Sequence, residues 1–361
     1  MRKLRVAVIG AGHLGRIHAR LLQSLEQVEL VGVADPAAEA RQAAAAELQV
    51  PVFAHHAELA RAIDAAVIAA TTSQHFEISR DLLRQDVHLL VEKPITACAS
   101  EADALIDLAR SRGRVLQVGH VERYNPAWRE AACYARRPRY IQAIRTSSYT
   151  FRSTDVGVVL DLMIHDLDLV LSLVRSPVAD VDAVGAAVLG PHEDMAHAHL
   201  RFANGCVANL NASRTSFVAQ RTMQVFTERA YVGIDFAAPR ARLIRPGEDL
   251  LRRRIDVQHL AAADKDRLRQ TLFTELLPLE EIAVEKGNAL LDEQREFVDC
   301  VLSGRTPRVT GEQARDCVAV AEKIRASIAA KNHPWAGRPA GDVPRPTTSH
   351  GHQPPRRRKA G

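Results

Sequence analysis

Apolar positions before about Val121 form short continuous runs, separated by segments in which apolar residues recur at helical spacing. The runs predict strands at Leu4–Ile9, Val28–Ala34, Ala65–Ala70, His88–Glu92 and Val115–Val118. The intervening segments predict helices at Leu14–Leu25, Ala37–Leu48, Phe76–Arg84 and Glu101–Ser111, the last with a capping signal at Ser100 and Asp103 and a closing Gly113. Strands this apolar are typical of a parallel sheet buried on both faces. The alternation therefore predicts an α/β fold with an N-terminal, doubly wound Rossmann sheet.

The pattern changes after about Val121. Consecutive strands are predicted at Tyr140–Tyr149, Val181–Leu189, Ala196–Phe202, Val207–Ser213, Met223–Thr227 and Ala230–Asp235, with a hairpin signal at Asn204-Gly205. Helices are predicted at Val158–Val174, Leu291–Ser303 and Glu312–Ala329, while residues 237–290 are charged and give no assignment. This pattern predicts a C-terminal α+β domain with a mostly antiparallel sheet. The predicted bounds are 1–122 and 123–330, followed by a disordered basic tail at 331–361.

The formal net charge of +5 at pH 7 lies in this tail. Six basic residues and one acidic residue follow Trp335, so the rest of the chain is neutral and a nucleic-acid partner is not expected. No apolar run reaches the roughly 18 residues that a membrane span needs. The apolar stretch Leu4–Ile9 runs into Gly10 without a cleavage-site pattern, and the five cysteines form no Cys-x-x-Cys pair. We therefore expect a cytoplasmic protein with reduced thiols.

A glycine motif follows the first predicted strand and opens the first predicted helix. It reads Gly10-Ala11-Gly12-His13-Leu14-Gly15. In such a motif the first glycine permits a tight turn, the second lets the backbone approach a pyrophosphate, and the third allows close packing of helix on strand. The helix N-terminus offers free N–H groups to the phosphates. The motif therefore predicts a dinucleotide site rather than a purely structural turn.

Asp35 ends the second predicted strand, twenty residues after Gly15. A carboxylate at this position accepts hydrogen bonds from the ribose hydroxyls of NAD and repels the 2′-phosphate of NADP. Pro36 follows, so no neighbouring cation is available for that phosphate. NAD is therefore the expected cofactor. Capping of the helix that begins near Pro36 is a second role open to Asp35.

Two further features are candidates for the chemistry. Glu92-Lys93-Pro94 ends the strand His88–Glu92, at the carboxyl edge where open α/β sheets bind ligands. On the helix Val158–Val174 one stripe carries only polar residues, namely Asp161, His165, Asp168 and Ser172. Such a stripe commonly faces solvent, but short acids and a histidine favour a partly buried site. Asp161 would then hydrogen-bond His165, whose ordinary pKa of about 6.5 suits a general base.

A metal site is the alternative for these residues. Asp161 and His165 have a spacing that can bind zinc, and His197 and His199 alternate on a predicted strand. No sequence feature brings that strand to the helix, so no metal is expected.

Taken together, these motifs resemble the Gfo/Idh/MocA oxidoreductase family over roughly residues 4–330. The glycine motif, Asp35, the Thr71-Thr72-Ser73 loop with His75, Glu92-Lys93-Pro94 and the Asp161/His165 pair have the family's order and spacing. One departure is the run Val156-Gly157-Val158-Val159, which keeps one glycine where the family often has a pair.

The resemblance implies a role for each motif. Lys93 would position the reacting hydroxyl, His165 would take its proton, and Asp161 would support His165, with a cis bond between Lys93 and Pro94. The residues implied to bind the cofactor are Gly10, Gly12, His13, Leu14, Gly15, Asp35, Thr71, Thr72, His75, Glu92 and Lys93. The open face of the C-terminal sheet is implied to form a homodimer or homotetramer.

Within the family, the stretches 118–126, 152–168 and 202–210 resemble the branch that oxidises C3 of UDP-N-acetylglucosamine on the route to the 3-amino sugar of lipid A. An aminotransferase would act on the product. The implied substrate residues are Lys93, Arg123, Tyr124, Asn125, Arg152, Asp161 and His165. Four arginines have the charge to bind a diphosphate, namely Arg123, Arg145, Arg152 and Arg214.

Two alternatives stay open. One is a dehydrogenase of another sugar or an uncharged polyol, such as an inositol dehydrogenase. The other is a non-catalytic regulator that senses a dinucleotide on the same scaffold. The presence of Lys93, Asp161 and His165 counts against the regulator.

Overall fold

The computed structural model describes residues 2–151, 154–256 and 258–331. Arg152 of the predicted substrate site and residues 332–361 of the predicted tail lie outside these ranges.

The N-terminal part is a six-stranded parallel sheet with helices on both faces, as the sequence predicts. The strand order is β3-β2-β1-β4-β5-β6. The strands are β1 (Leu4–Ile9), β2 (Val28–Ala34), β3 (Val52–Phe53), β4 (Ala65–Ile68), β5 (His88–Glu92) and β6 (Leu116–Gly119). The helices are α1 (His13–Gln23), α2 (Ala38–Leu48), α3 (Thr72–Arg84) and α4 (Ala99–Arg112). Residues of β1, β4 and β5 are almost wholly buried, which explains their continuous apolar runs.

Two local details differ from the expectation. The sequence analysis missed β3, because a strand of two residues has no periodicity to detect. The capping signal at Ser100 is wrong, since α4 begins at Ala99 after Cys98, which makes no side-chain capping bond. Gly113 ends α4 in the left-handed conformation, as predicted (φ 60°).

The C-terminal part is built on an eight-stranded sheet with the order β14-β13-β12-β11-β7-β10-β9-β8. Only β7 and β10 pair in parallel. The strands are β7 (Tyr140–Thr146), β8 (Val178–Ala186), β9 (Met195–Phe202), β10 (Val207–Ser213), β11 (Gln220–Phe226), β12 (Tyr231–Asp235), β13 (Arg240–Ile244) and β14 (Leu279–Ile282). The helices are α5 (Pro126–Ala131), α6 (Ile164–Val174), α7 (Glu248–Leu251), α8 (Ala262–Gln270), α9 (Ala289–Ser303) and α10 (Gly311–Lys331). The strands β13 and β14 fall in the stretch that the sequence left unassigned.

One face of this sheet is packed and the other is open. Along β9, Ala196, Ala198 and Leu200 are fully buried, whereas His197 and His199 alternate with them on the opposite face. Both α6 and α10 pack on the buried face. His199 Nδ1 lies 2.8 Å from Asn209 Oδ1 of the neighbouring strand. The two histidines therefore lie across the sheet from α6, which rules out their joining Asp161 and His165 in a metal site.

The helix predicted at Val158–Val174 forms as one continuous element, but its first turns are wider than an α-helix. Val159–Met163 is a π-helical segment that leads into α6. Such segments insert one extra residue per turn and occur frequently at functional sites. The wider turn changes the position of Asp161 relative to His165, and this change alters which side chain Asp161 contacts in the site.

The last two helices return to the N-terminal part. The helix α9 packs on α1, and α10 packs on α4 as well as on α6 and β8. A bridge between Gln117 and Thr310 joins β6 to the residues before α10. The domain bounds 1–122 and 123–330 stay a prediction, and within the described ranges both parts share these helices. No helix in those ranges has both the length and the apolar character to cross a bilayer.

Candidate active site

The loop between β1 and α1 has the geometry of a dinucleotide cradle. Gly10 adopts a φ of 105°, which side chains rarely tolerate, and a Cβ on Gly15 would lie 1.9 Å from the Gly10 carbonyl oxygen. At Gly12, by contrast, a Cβ would meet no atom within 4 Å. The backbone is thus packed tightly below the turn and open above it, where a pyrophosphate would approach the start of α1. His13 and Leu14 form the first turn of that helix.

Asp35 lies beside this loop at the end of β2. Its Oδ2 accepts a hydrogen bond of 2.8 Å from Ala11 N–H, and its Oδ1 accepts one of 2.8 Å from Ala37 N–H before α2. The capping role that the sequence left open is not found, since α2 begins at Ala38 and its N-cap residue Ala37 makes no side-chain capping bond; Asp35 binds the turn that precedes the helix. A carboxylate has about four acceptor positions, so capacity remains for ribose hydroxyls.

The side chain of His75 in α3 contacts the loop that follows β4. Thr71 precedes α3 and Thr72 is its first residue. The buried His75 ring lies 2.8 Å from the Pro94 carbonyl oxygen through Nδ1 and 3.1 Å from the Ala70 carbonyl oxygen through Nε2. Burial lowers the pKa of His75, so the neutral ring donates to one of these carbonyls. His75 thus links the two loops at the sheet edge, and the bond between Lys93 and Pro94 is cis, as predicted.

Glu92 is buried at the carboxyl end of β5. It lies 2.8 Å from His18 Nε2 of α1 and accepts a hydrogen bond from Lys93 N–H. Gln294 of α9 lies 2.7 Å from the other ring nitrogen of His18. Although burial raises the pKa of Glu92, the His18 and Lys93 contacts outweigh it and leave the pKa below its ordinary value. Glu92 is therefore an ionised anchor that joins three elements next to Lys93.

Lys93 reaches from β5 to the π-helical segment before α6. Its Nζ donates a 2.8 Å hydrogen bond to the Asp161 carbonyl oxygen and lies 3.3 Å from Asp161 Oδ1. Both side chains are 17% exposed, so the pair is partly shielded from water. The sequence analysis placed the two residues in one site without a link between them. The structure shows that they touch.

His165 lies one turn later, and its surroundings correct one expectation. Asp161 does not hydrogen-bond His165, because the wide turn directs the Asp161 carboxylate to Lys93, and His165 Nδ1 is buried without a partner among the described residues. Burial and the nearby Lys93 charge hold the pKa of His165 well below 6.5. The imidazole is therefore neutral near pH 7, with a lone pair available to accept a proton.

Lys93 and His165 open onto the same cavity of about 590 Å³. It lies at the carboxyl edge of the parallel sheet, between α1 and the start of α9 with the two residues before it. Its lining residues are Leu14, Glu92, Lys93, Val121, His165, Gly287, Asn288, Ala289 and Leu290. Sequence reasoning missed the stretch 287–290, because it carries no motif and reaches the cavity only through the packing of α9.

Of the four arginines expected to bind a diphosphate, the three within the described ranges are held in internal ion pairs. Arg145 is buried between Glu122 and Asp166, and Arg214 is buried against Asp194. Arg145 lies on β7 at a buried position, in the same alternating series as Ile141 and Ala143, and Arg214 directly follows β10. The expectation that Arg145 and Arg214 bind a diphosphate is therefore wrong.

The residues 123–125 also make internal contacts. Arg123 binds Asp168 through two hydrogen bonds of 2.6 and 3.0 Å. Tyr124 is 2% exposed, and the Asn125 side chain accepts the Ala127 N–H at the start of α5. These contacts correct the expected substrate contacts of Tyr124 and Asn125, since a substrate has no access to either side chain.

One group of metal-ligating side chains occurs in the described ranges. His120, Asp168 and Cys317 place one ligand atom each within 4.8 Å of one another. The Asp168 carboxylate is already bound to Arg123, whose positive charge opposes a cation at this place. The group therefore does not indicate a metal centre.

Comparison with known proteins agrees with this geometry. Residues 4–120 match the oxidoreductase family with an NAD-binding Rossmann fold, and residues 128–232 match the GFO/IDH/MocA C-terminal domain. The chain is 35% identical to UDP-N-acetylglucosamine 3-dehydrogenase from Acidithiobacillus ferrooxidans, over 91% of this chain and 99% of that protein. It belongs to the Gfo/Idh/MocA oxidoreductase family.

A further relative and two solved structures show how far the likeness extends. The scyllo-inositol 2-dehydrogenase (NAD(+)) of Bacillus subtilis (strain 168) is 28% identical over 59% of this chain and 68% of its own length. The solved structure of the Acidithiobacillus ferrooxidans UDP-N-acetylglucosamine 3-dehydrogenase has a TM-score of 0.80 at 34% identity, covering 91% of this chain and 99% of that one. Levoglucosan dehydrogenase in complex with NADH and levoglucosan has a TM-score of 0.77 at 16% identity, covering 91% of this chain and 98% of that one, and shares the fold. As a member of the Gfo/Idh/MocA family, this chain is an NAD-binding oxidoreductase.

Proposed function

We propose that the protein oxidises the C3 hydroxyl of UDP-N-acetylglucosamine to a ketone, with NAD+ as the oxidant. The observation that carries the proposal is the convergence of Lys93 and His165 on one cavity beside the glycine loop. The substrate class rests on the likeness to UDP-N-acetylglucosamine 3-dehydrogenase, which extends over 99% of that protein.

The chemistry follows from what an alcohol must lose. Oxidation of a secondary alcohol removes a hydride from carbon and a proton from oxygen. When bound, NAD+ supplies the nicotinamide ring that accepts the hydride. His165 accepts the hydroxyl proton, because its lowered pKa keeps the imidazole neutral. The Lys93 ammonium stabilises the negative charge that develops on the alcohol oxygen.

Asp161 has a different role from the one expected. Its carbonyl and carboxylate hold the Lys93 ammonium in place at 2.8 and 3.3 Å. Lys93 has three N–H donors, so one remains for the substrate oxygen when two are held. Asp161 is therefore a positioning residue for Lys93 in this proposal.

The proposal extends to partners and location. The ketone product is a substrate for an aminotransferase on the route to a 3-amino sugar of lipid A. A homodimer or homotetramer would form through the open face of the C-terminal sheet, and the reaction would take place in the cytoplasm.

The test is NADH formation by the purified protein with NAD+ and UDP-N-acetylglucosamine, in the presence of a carbonyl trap. UDP-glucose, glucose and myo-inositol are the competing substrates. We expect NADH with UDP-N-acetylglucosamine, and a loss of about 10²-fold or more in kcat/KM for Lys93→Ala. Lys323→Ala removes an exposed lysine on α10 and is the matched control.

The results of this assay distinguish the proposed dehydrogenase from a polyol dehydrogenase and from a non-catalytic regulator. A signal with myo-inositol and none with either UDP-sugar would replace the substrate and keep the mechanism. Absence of NADH with all four compounds, together with tight NAD+ binding, would replace the enzyme with the dinucleotide-sensing regulator.

A further inference from the structure

A second cavity lies at the far end of α6 and plays no part in the proposed reaction. Its volume is about 1070 Å³, larger than the cavity at Lys93. It is bounded by the residues between α5 and β7, the C-terminal end of α6, and the turn that joins β11 to β12. Arg175 follows α6 ten residues after His165, which places it about 15 Å from His165 along the helix axis.

The lining of this cavity is rich in arginine. Within the part of the chain that the structure describes, seven arginines contribute to it and Glu228 is its single acidic member. Three of the seven have carboxylate partners: Arg123 with Asp168, Arg139 with Glu228 and Arg245 with Glu280. The other four make no salt bridge within 4.0 Å among the described residues, namely Arg136, Arg137, Arg175 and Arg229. Glu228 lies near enough to Arg137 and Arg229 to interact with their charges, but it is one acid among seven arginines. A concave surface thus concentrates an excess of positive charge.

The backbone at two of these arginines would accept glycine without strain. Arg137 has a φ of 55° and Arg175 has a φ of 49°. Glycine or asparagine is the usual residue in this left-handed conformation, and other side chains there are strained by about 1 kcal/mol or more. Arg175 ends α6 in this conformation, where glycine would serve the fold better. Non-glycine residues outside the cavity also adopt positive φ, among them Arg253, so this conformation guides the choice of variants and is not itself an argument for a ligand.

We propose that this cavity binds a small molecule that carries two or more linked phosphates, such as a nucleoside diphosphate or triphosphate. Guanidinium groups bind phosphate oxygens through paired hydrogen bonds, and several around one cavity suit linked phosphates. The ring of Tyr134, 42% exposed at the cavity wall, offers a surface for a base. The concave shape favours a small molecule over an acidic protein, which would dock on a flatter patch.

The test measures binding by calorimetry, at fixed ionic strength and with NAD+ saturating so that the glycine loop is filled. The probes are inorganic tripolyphosphate and ADP. Arg137→Gly and Arg175→Gly each remove one guanidinium, and both keep the fold because glycine adopts positive φ freely. Arg253→Gly is the matched control, since Arg253 also has positive φ (51°) but lies outside this cavity.

We expect one saturable site for tripolyphosphate, weakened about tenfold by Arg137→Gly and by Arg175→Gly and unchanged by Arg253→Gly. A second measurement locates the site without a variant. Cys133 is exposed and lines the cavity, so the ligand should slow its alkylation at least threefold, whereas alkylation of Cys98, which lies outside the cavity, should not change. Both measurements are independent of dehydrogenase activity, so they stand or fall apart from the proposed reaction.

Three results would overturn the inference. The first is the absence of saturable binding of either probe to the wild-type protein. The second is equal weakening by Arg253→Gly and the two cavity variants, which would indicate a general effect of charge. The third is binding of poly-glutamate to this surface without binding of tripolyphosphate, which would assign it to an acidic protein partner.

Discussion

At the scale of single residues, the neighbours of a side chain decide its chemistry. His165 is partly buried and Glu293 is fully buried, and desolvation shifts the pKa of each towards the neutral form. For His165 this shift leaves a lone pair ready for a proton. For Glu293 the shift keeps the carboxyl protonated at pH values where an exposed carboxyl is ionised.

The pH profile tests the role of His165. A proton acceptor must be unprotonated, and a lowered pKa means that the protonated form accumulates only at lower pH. We therefore expect kcat/KM to persist as pH falls through 6.5 and to decline well below it. His165→Asn should lower kcat about 10²- to 10⁴-fold and abolish the decline of kcat/KM at low pH. If kcat/KM of the wild-type protein already declines with a midpoint at or above pH 6.5, while circular dichroism shows the protein to be folded, the assignment is contradicted.

Glu293 of α9 tests the electrostatics beneath the site. Its side chain is fully buried, both oxygens lack partners among the described residues, and burial together with Glu92 raises its pKa well above 4.5. The unfolded chain releases this proton near pH 4.5 while the folded chain keeps it, so the stability it contributes is lost as pH rises above 4.5. Glu293→Gln should therefore raise Tm, and by more at pH 8 than at pH 5. The same gain at both values would show that the carboxyl ionises alike in both states.

At the scale of elements, the junction of β1 and α1 combines a structural and a functional demand on neighbouring glycines. A methyl group at Gly15 collides with backbone, whereas one at Gly12 occupies open space. The two positions therefore separate folding from cofactor binding.

Matched alanine substitutions test this separation. Gly15→Ala should lower the free energy of unfolding by about 1–3 kcal/mol, because the backbone must move away from the Gly10 carbonyl. Gly12→Ala should change it by less than about 0.5 kcal/mol and weaken NAD+ binding about tenfold or more, because the methyl group lies where the pyrophosphate approaches. Urea unfolding and calorimetric titration with NAD+ measure the two effects. Equal NAD+ affinity in Gly12→Ala and wild type would contradict this reading of the loop.

At the scale of the whole molecule, buried ion pairs join the two parts of the chain. Arg145 of β7 binds Asp166 of α6 and also Glu122 from the segment that follows β6. Each of these groups is at least 90% buried. The pairs fix the position of α6, and with it His165, relative to the parallel sheet.

Arg145→Met tests this junction. It leaves Glu122 and Asp166 buried without their cation, so the free energy of unfolding should fall by about 3–5 kcal/mol. Arg201 is the comparison, since it also lies on a strand but pairs with Asp180 on the open face. Arg201→Met should cost less than about 1 kcal/mol. Urea unfolding gives both values, and equal losses would refute a special role for the buried pair.

Most of the fold was predictable from the sequence. The parallel strands are buried on both faces and the C-terminal strands on one, so their apolar patterns report the two sheets directly. The limits lay where local signals are weak. The strand β3 is too short to show a period, β13 buries only Ala241 and Leu243 between charged residues, and the exposed strand β14 has no apolar pattern.

The sequence by itself determined the glycine cradle, the acid at the end of β2, and the presence of Lys93, Asp161 and His165, because each lies at a fixed offset within one local element. The tertiary structure alone decided what these residues touch. In the π-helical segment, the Asp161 carboxylate contacts Lys93 rather than His165. The packing of the C-terminal part pairs Arg123, Arg145 and Arg214 with buried acids. It also gathered arginines from five separate segments around one cavity. Such contacts depend on which segments meet in space, and sequence spacing carries no record of that.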